Sequence, residues 1–598
     1  MIDQTIDKKK SDMLILKSEK ETTINFEAGN PFISDNRVRI ELGKKDQVDF
    51  LPSRELLPIT EVKEQYFNIP AETFSHELSK FPENPYLINN YGLALMNQKE
   101  WSDALEQFEK AIKFKKDFYS AKMNLARCLK NLNRIDEAYS VYKYLEKKFA
   151  DNIDVRMNIA SIHFIKREFD KAKTILEKVI KIDKRNEAAY NNRAVIYMIE
   201  GKFDLAISNL RKAISNNIYF AVAINNLGIC YIALSAYKKA LKYFYEALSI
   251  DSNNGDAVQN AVLTLHRFQR YQEATTLLEN YLEKNRDDIS VRELLAKSYL
   301  MMKKYVLSTH QLNLAIDIAK NKYSEEKLEI ELSRFNNNFG VIHHQKGDRI
   351  KAREFYLKAK KELKTPSEIL YRNIINLYFE IRRIDAAKNE LEEAVKYFPE
   401  NSHILFLYSR YFFEIQNFEK TVEFLKKIIE KTPDFLSSYG FLSFLYSEIY
   451  FNYDLAIEVL NKGLIYDKKN HSLLNNLAYN YLMKNNINKA RIILDSIKDA
   501  EDTFFLTATR GLLLLKEGNL KEGTSLYNRA ISLAQHDTYW HELIKQKKNL
   551  ELSKFYYNKG RKFETEKYLK KLFNSKLESS IIYKQGKLFK KSFKRIQT

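Results

Sequence analysis

A file of asparagines runs down the chain at a fixed interval: Asn90, Asn124, Asn158, Asn192, Asn226 and Asn260, each 34 residues after the one before. After a break at Leu294 it returns as Asn338, Asn373 and Asn476. In five cases the preceding residue is also Asn: Asn89, Asn191, Asn225, Asn337 and Asn475. A carboxamide offers one acceptor oxygen and two N–H donors without net charge, the complement of a peptide unit. Such groups at regular intervals suit main-chain recognition of an extended polypeptide, whatever its side chains. The alternative is that the amides bond only to neighbouring repeats or to water.

The elements that must position them are clearest at residues 221–252, AVAINNLGICYIALSAYKKALKYFYEALSIDS. Leu227, Gly228 and Tyr231 fall on one face of a first helix; Ala240, Phe244 and Ala247 fall on one face of a second. A short break at Ala233–Tyr237 predicts an antiparallel hairpin. Gly228 and Ala240 stand where the helices cross, so the axes can approach to about 8–10 Å. The first small position recurs as Gly92, Ala126, Ala160, Ala194, Gly228, Val262 and Ala296, and its partner as Ala104, Ala138, Ala172, Ala206, Ala240, Ala274 and Ser308. One hairpin cannot cover its own apolar faces, so copies must stack on both sides.

A 34-residue helix–turn–helix with this pattern resembles the tetratricopeptide repeat. The resemblance covers about three quarters of the chain, from near Asn84 to near Ala534. It departs in the first helix, where the family's Trp is replaced by Ile88, Tyr190 or Ile224, and in the closing Pro, kept only at Pro399 and Pro433. The resemblance implies an all-α, α-α superhelical solenoid of about 13 such repeats with helical caps. It also implies that first helices line the concave surface. The asparagines lie two residues before the first small position, about 200° around the helix from it, and are therefore expected to point into the groove. Their file is similar to the asparagine ladder in the repeat superhelix of O-GlcNAc transferase.

Length and composition agree with an open array. At 598 residues, with 15 Gly, 9 Pro and 45% hydrophobic residues, the chain favours long helices over sheets or disorder. Cys128 and Cys230 occupy one slot of two repeats three units apart, too far for a disulfide, which favours a reduced, cytoplasmic setting. No apolar run is long enough to span a membrane. We expect a polar leader at 1–50, a degenerate capping hairpin at 51–84, a first sub-array of about seven repeats at 85–320, and a second of about six at 321–535. A helical cap at 536–578 and a basic tail at 579–598 follow. The sub-arrays are separated by an insertion: 44 residues, not 34, lie between Ala296 and Gly340.

Two further groups invite binding. Phe406, Phe413, Phe441 and Phe444 fall at groove positions where the asparagines lapse, and suit a hydrophobic floor for a partner segment; aromatic residues at helical spacing also build cores. Residues 541–598 carry 17 Lys and Arg against 5 Asp and Glu, a balance of +12 out of +20 for the chain. Lys584, Lys587, Lys590, Lys591, Lys594 and Arg595, interleaved with aromatics, suit phosphates of nucleic acid or an anionic surface. Enzyme signatures are missing. His541-Glu542 and His76-Glu77 are not followed by a second His, His343-His344 point in different directions, and no phosphate loop is present. The sequence thus predicts no catalytic residue, metal or cofactor. The expected function is a non-enzymatic scaffold that grips an extended segment of a protein partner, with a nucleic-acid-associated protein as the alternative.

Overall fold

The computed structural model describes residues 40–41, 47–48, 71–98, 100–362, 365–500, 502–535, 538–574 and 580–595. The expected leader and the first half of the expected capping hairpin lie outside them, apart from a two-residue antiparallel pairing of Ile40–Glu41 with Gln47–Val48. The helices divide into two compact units, one ending at Ser324 and the other beginning at Glu325.

In the first unit the helix Ala71–Lys80 precedes seven hairpins, from Pro85–Asn97 with Trp101–Phe114 to Ile289–Met301 with Tyr305–Lys322. In the second, six hairpins run from Glu325–Lys346 with Arg349–Glu362 to Phe504–Lys516 with Leu520–Leu533. The pair Thr538–Asn558 and Lys562–Phe573 and the single helix Ile581–Arg595 close it. The ten inserted residues lengthen two helices, Tyr305–Lys322 and Glu325–Lys346, instead of forming a loop. Many first helices begin on a side-chain cap: Asn84, Asn152, Asn186, Asn254, Asn401 and Asn470 each accept from backbone N–H groups that the helix leaves unpaired.

Size complementarity sets the crossing within each hairpin. Sixteen residues beyond each first small position stands the side chain that fills the space above it. Where the first is Gly, the second is aromatic: Gly92 faces Phe108, Gly228 faces Phe244, Gly340 faces Tyr356 and Gly511 faces Tyr527. Where it is Ala160, Ala194 or Ala296, the second is Leu176, Leu210 or Leu312, all buried. A methyl added at Gly228 or Gly340 would lie 2.5 or 2.4 Å from the facing ring. These contacts form the core of each unit, with the small residues near zero exposure.

The turn inside each hairpin needs one left-handed residue, and it falls seven residues after the first small position. Gly201, Gly347 and Gly518 supply it, with φ of 74°, 92° and 91°. Elsewhere Asn133, Arg167, Ser235, Gln269, Lys303, Arg382, Gln416 and Asn485 adopt it despite a Cβ. At Phe451 the offset is eight. The hairpin there has one residue too many, 13 instead of 12 between Ser443 and Ala456. A π-helical turn at Leu445–Ile449 absorbs it. Phe451 has φ 53° and its ring is 47% exposed, so it holds an unfavourable backbone with little packing in return. Phe451→Gly is expected to stabilise the second unit by about 1 kcal/mol, seen as a later thermal transition; an earlier one would contradict this.

Candidate functional site

First helices of adjacent hairpins pack on each other more closely than second helices do, so in each unit they form the inner wall. All nine ladder asparagines lie on first helices. Asn124, Asn158, Asn192, Asn226, Asn260, Asn338 and Asn373 are buried, whereas Asn90 and Asn476 are half-buried.

The doublets explain part of this burial. Asn124 Nδ2 donates to Asn89 Oδ1 of the preceding hairpin at 3.1 Å; Asn226 does the same to Asn191 (2.9 Å), Asn260 to Asn225 (3.1 Å) and Asn373 to Asn337 (2.9 Å). Within a doublet the first amide donates to the second, as Asn191 does to Asn192 at 3.3 Å and Asn337 to Asn338 at 3.2 Å. Each staple uses an N–H of the ladder amide and the carbonyl oxygen of the preceding hairpin's amide to tie the two hairpins together. Sequence reading registers the doublets but gives them no role; the signal was their spacing of 35 or 36 to the next ladder residue.

Where the doublet is missing the pattern breaks in a readable way. Asn192 would reach for position 157, which is Met157, and its Nδ2 is left buried without a hydrogen-bond partner. Asn158 turns to its own helix and donates to the Asp154 carbonyl at 2.9 Å, while Tyr142 donates to its Oδ1 at 3.3 Å. Asn373 Oδ1 is a second buried ladder atom without a partner.

The four phenylalanines come together as one cluster. Phe441, fully buried, is the hub, with Phe406 at 5.8 Å, Phe413 at 5.3 Å and Phe444 at 6.5 Å between ring centroids; the outer three are half-buried. They belong to the packed core between two hairpins as much as to the inner wall.

The basic end is not a loose tail over its described part. Ile581–Arg595 is a helix whose Ile582, Tyr583 and Phe593 are buried against the closing pair, near Leu550 and Leu572. Lys584, Lys587, Lys590 and Lys591 are exposed on the other side. The side chains of Lys594 and Arg595, like those of His76 and Glu77, lie outside the described set.

That helix also completes a buried polar hub which nothing in the sequence announces, since its members are 31 to 137 residues apart. Tyr479 donates to Glu448 Oε1 at 2.5 Å, Gln585 donates to Glu448 Oε2 at 2.9 Å, and Lys547 donates to the Tyr479 hydroxyl at 2.7 Å. Lys554 pairs with Glu551 at 3.0 Å. Burial favours the neutral acid at Glu551, but Lys554, Lys547 and Lys516 outweigh it and hold the carboxyl at about 2. In the first unit, burial and then Lys297 push the His266 imidazole down to about 3; its Nε2 lies 2.8 Å from Ser298 Oγ. Both groups make stability fall with acid. His266 is neutral when folded and titrates near 6.5 when unfolded, so its contribution is complete above that pH and declines as pH falls from 6.5 towards 3. Glu551 contributes fully above about 4.5 and loses that contribution as pH falls towards 2. Chemical denaturation at stepped pH should show the first unit weakening first, and His266→Gln should remove that early slope.

Among the described residues no group of three His, Cys, Asp or Glu could hold a metal ion, and no helix is long and apolar enough to cross a membrane. Cys128 and Cys230 are both buried and unpaired, and burial pushes the Cys128 thiol up to about 12.

Models of the tetratricopeptide repeat match residues 89–153, 191–256 and 373–434, and a further one matches 231–298. A model of the coatomer epsilon subunit matches 130–222. No curated protein matches the chain. Among solved structures, a chain of the APC/C hetero-tetramer Cut9–Hcn1 is 14% identical over 78% of this chain and 93% of its own, with a TM-score of 0.33. A chain of the Naa15/Naa10 structure bound to HypK-THB is 12% identical over 87% of this chain and 93% of its own, with a TM-score of 0.28. YrrB, described as a TPR protein with an unusual peptide-binding site, is 22% identical over 33% of this chain and 94% of its own, with a TM-score of 0.26. The chain carries tetratricopeptide repeats over these residues, and its fold class is the all-α superhelical solenoid.

Proposed function

We propose that this protein is a non-enzymatic cytoplasmic scaffold whose first helices hold an extended segment of a protein partner, leaving other faces for further contacts within an assembly. The observation that carries the reading is the pair of buried ladder atoms without a partner, Asn192 Nδ2 and Asn373 Oδ1. A buried donor or acceptor left unpaired costs about 1–3 kcal/mol, and a peptide carbonyl or N–H would satisfy it once the side chains covering it on the wall move aside. Adjacent helix axes lie about 8–10 Å apart and an extended chain rises about 3.3 Å per residue, so one ladder amide would meet every third residue of the segment. The half-buried rims of Phe406, Phe413 and Phe444 would take an apolar side chain beyond the ladder.

The test is backbone chemistry. A binding peptide selected from a random extended library should lose about tenfold in affinity, ~1.4 kcal/mol, on N-methylation at every third position, and little at the positions between. A flat N-methyl scan with strong side-chain dependence would show that the amides do not read the main chain.

The exposed file Lys584, Lys587, Lys590 and Lys591 favours a second reading, contact with a polyanion such as nucleic acid. Because the apolar face of that helix is buried, attraction would rest on charge alone and fall steeply with salt.

A further inference from the structure

One hairpin departs from the repeat in a way that the ladder does not use. On the first helix, the position just before the small residue is apolar in its neighbours: Leu125, Ile159 and Leu227. Sixteen residues on, the second helix offers Val141, Ile175 and Tyr243 to match. In the hairpin Glu187–Ile199 with Phe203–Asn216 this pair is Arg193 and Asn209 instead. Exchanging an apolar contact for a charged one sacrifices packing, and such local exceptions concentrate at functional sites.

The exception opens a cavity of about 390 Å³ between the two helices. Three cations line it, Arg193, Arg211 and Lys212, together with Tyr190, Ser208, Asn209 and Ser215; no carboxylate does. The two guanidinium groups are held by neutral partners. Arg193 Nε donates to Asn209 Oδ1 at 2.8 Å, and the nine-tenths-buried Asn209 is fixed in turn by donating to the Leu205 carbonyl at 2.7 Å. Arg211 Nη2 donates to the Tyr231 hydroxyl of the next hairpin at 3.1 Å. Tyr231 is stacked on Tyr243, ring centroids 5.3 Å apart. The nearest carboxylate paired with these groups is that of Glu177, 4.0 Å from Arg193 Nη1 and itself half exposed. Two forks are therefore pre-oriented while their charge is left largely uncompensated, which is the arrangement that favours bidentate capture of a tetrahedral oxyanion.

We propose that this cavity is a binding site for a phosphate group, clamped by Arg193 and Arg211 with Lys212 adding charge and the serine hydroxyls completing the shell. The shared chemistry is the phosphate, and the test separates one carried by a phosphorylated side chain from one free in solution. The site is separate from the ladder, so it would add a second, modification-sensitive contact to a scaffold.

The test titrates the full-length chain with O-phospho-L-serine and, separately, with inorganic phosphate by calorimetry at low salt. Saturable 1:1 binding that weakens at least tenfold in R193A/R211A and several-fold in R193K/R211K, which keeps the charge but removes the forks, supports the site. Glu177→Gln should tighten binding two- to threefold by removing the competing carboxylate. Stronger binding of phosphoserine than of phosphate assigns the group to a phosphorylated side chain, and equal binding assigns it to the free anion. The proposal is overturned if no saturable binding occurs, or if R193A/R211A binds as the parent does. It is also overturned if the remote control K462A/K489A loses as much. Circular dichroism of each variant establishes that the hairpins remain folded.

Discussion

Gly228→Val is expected to destabilise the first unit by about 3 kcal/mol or more, the upper range for overpacking a filled core, although Val262 occupies the same slot one repeat later without harm. The difference lies in what each residue faces. Val262 meets Leu278, whereas the Gly228 Cα lies beneath the ring of Phe244, with Phe244 Cε1 2.5 Å from where a Cβ would stand. That ring is fully buried, so it has no free rotamer to retreat into. Phe244→Leu alone should cost about 1–3 kcal/mol through the volume it leaves above a glycine. The double variant Gly228→Val with Phe244→Leu recreates the neighbouring repeat's pair and should recover most of the loss. Denaturant unfolding of the four proteins gives the coupling energy directly; additive effects would show that the two residues do not set each other's size.

Replacing Asn158, Asn192 and Asn226 together with alanine should reduce capture of an extended segment by about a hundredfold, at ~1 kcal/mol for each hydrogen bond removed. It should also lower the melting temperature, because Asn226 ties its hairpin to Asn191 and Asn158 satisfies Tyr142. Stability and binding are separated by a companion variant. Asn191→Ala cuts the staple to Asn226 but leaves every ladder amide in place, so it should melt earlier and bind almost as well. If both variants lose binding in proportion to lost stability, the ladder is a structural device alone and the scaffold must grip its partner elsewhere.

How much of this was legible in the sequence depends on the distance over which the cause acts. The hairpins, their crossings and their turns follow from residues within one period, and glycines Gly201, Gly347 and Gly518 take the left-handed turn position between the paired helices. Non-glycine residues at that turn were not anticipated, because the helix–helix contact on either side fixes the backbone whatever the side chain. The ladder's location on first helices was equally readable, but not its burial, since that depends on an amide in the preceding repeat. The end of the chain was misjudged for a related reason. Lys-rich composition suggested a solvated tail, yet Ile582, Tyr583 and Phe593 recur on one helical face and are buried. The hub around Glu448 lay beyond reach, as no local period links it to Tyr479, Lys547 and Gln585.

The π-helical turn at Leu445–Ile449 has a bearing on how such arrays change over time. A residue gained inside a straight helix would rotate every later side chain by about 100° and misalign all the hairpins beyond it. Here the bulge takes up the surplus within five residues, and Ala456, Leu460 and Gly463 return to the buried side in phase. The widened turn carries Glu448, the carboxylate that accepts from Gln585 of the closing helix. An accident of length has become a fastening point, so trimming it back would restore the arithmetic of the repeat while unhitching the far end of the protein.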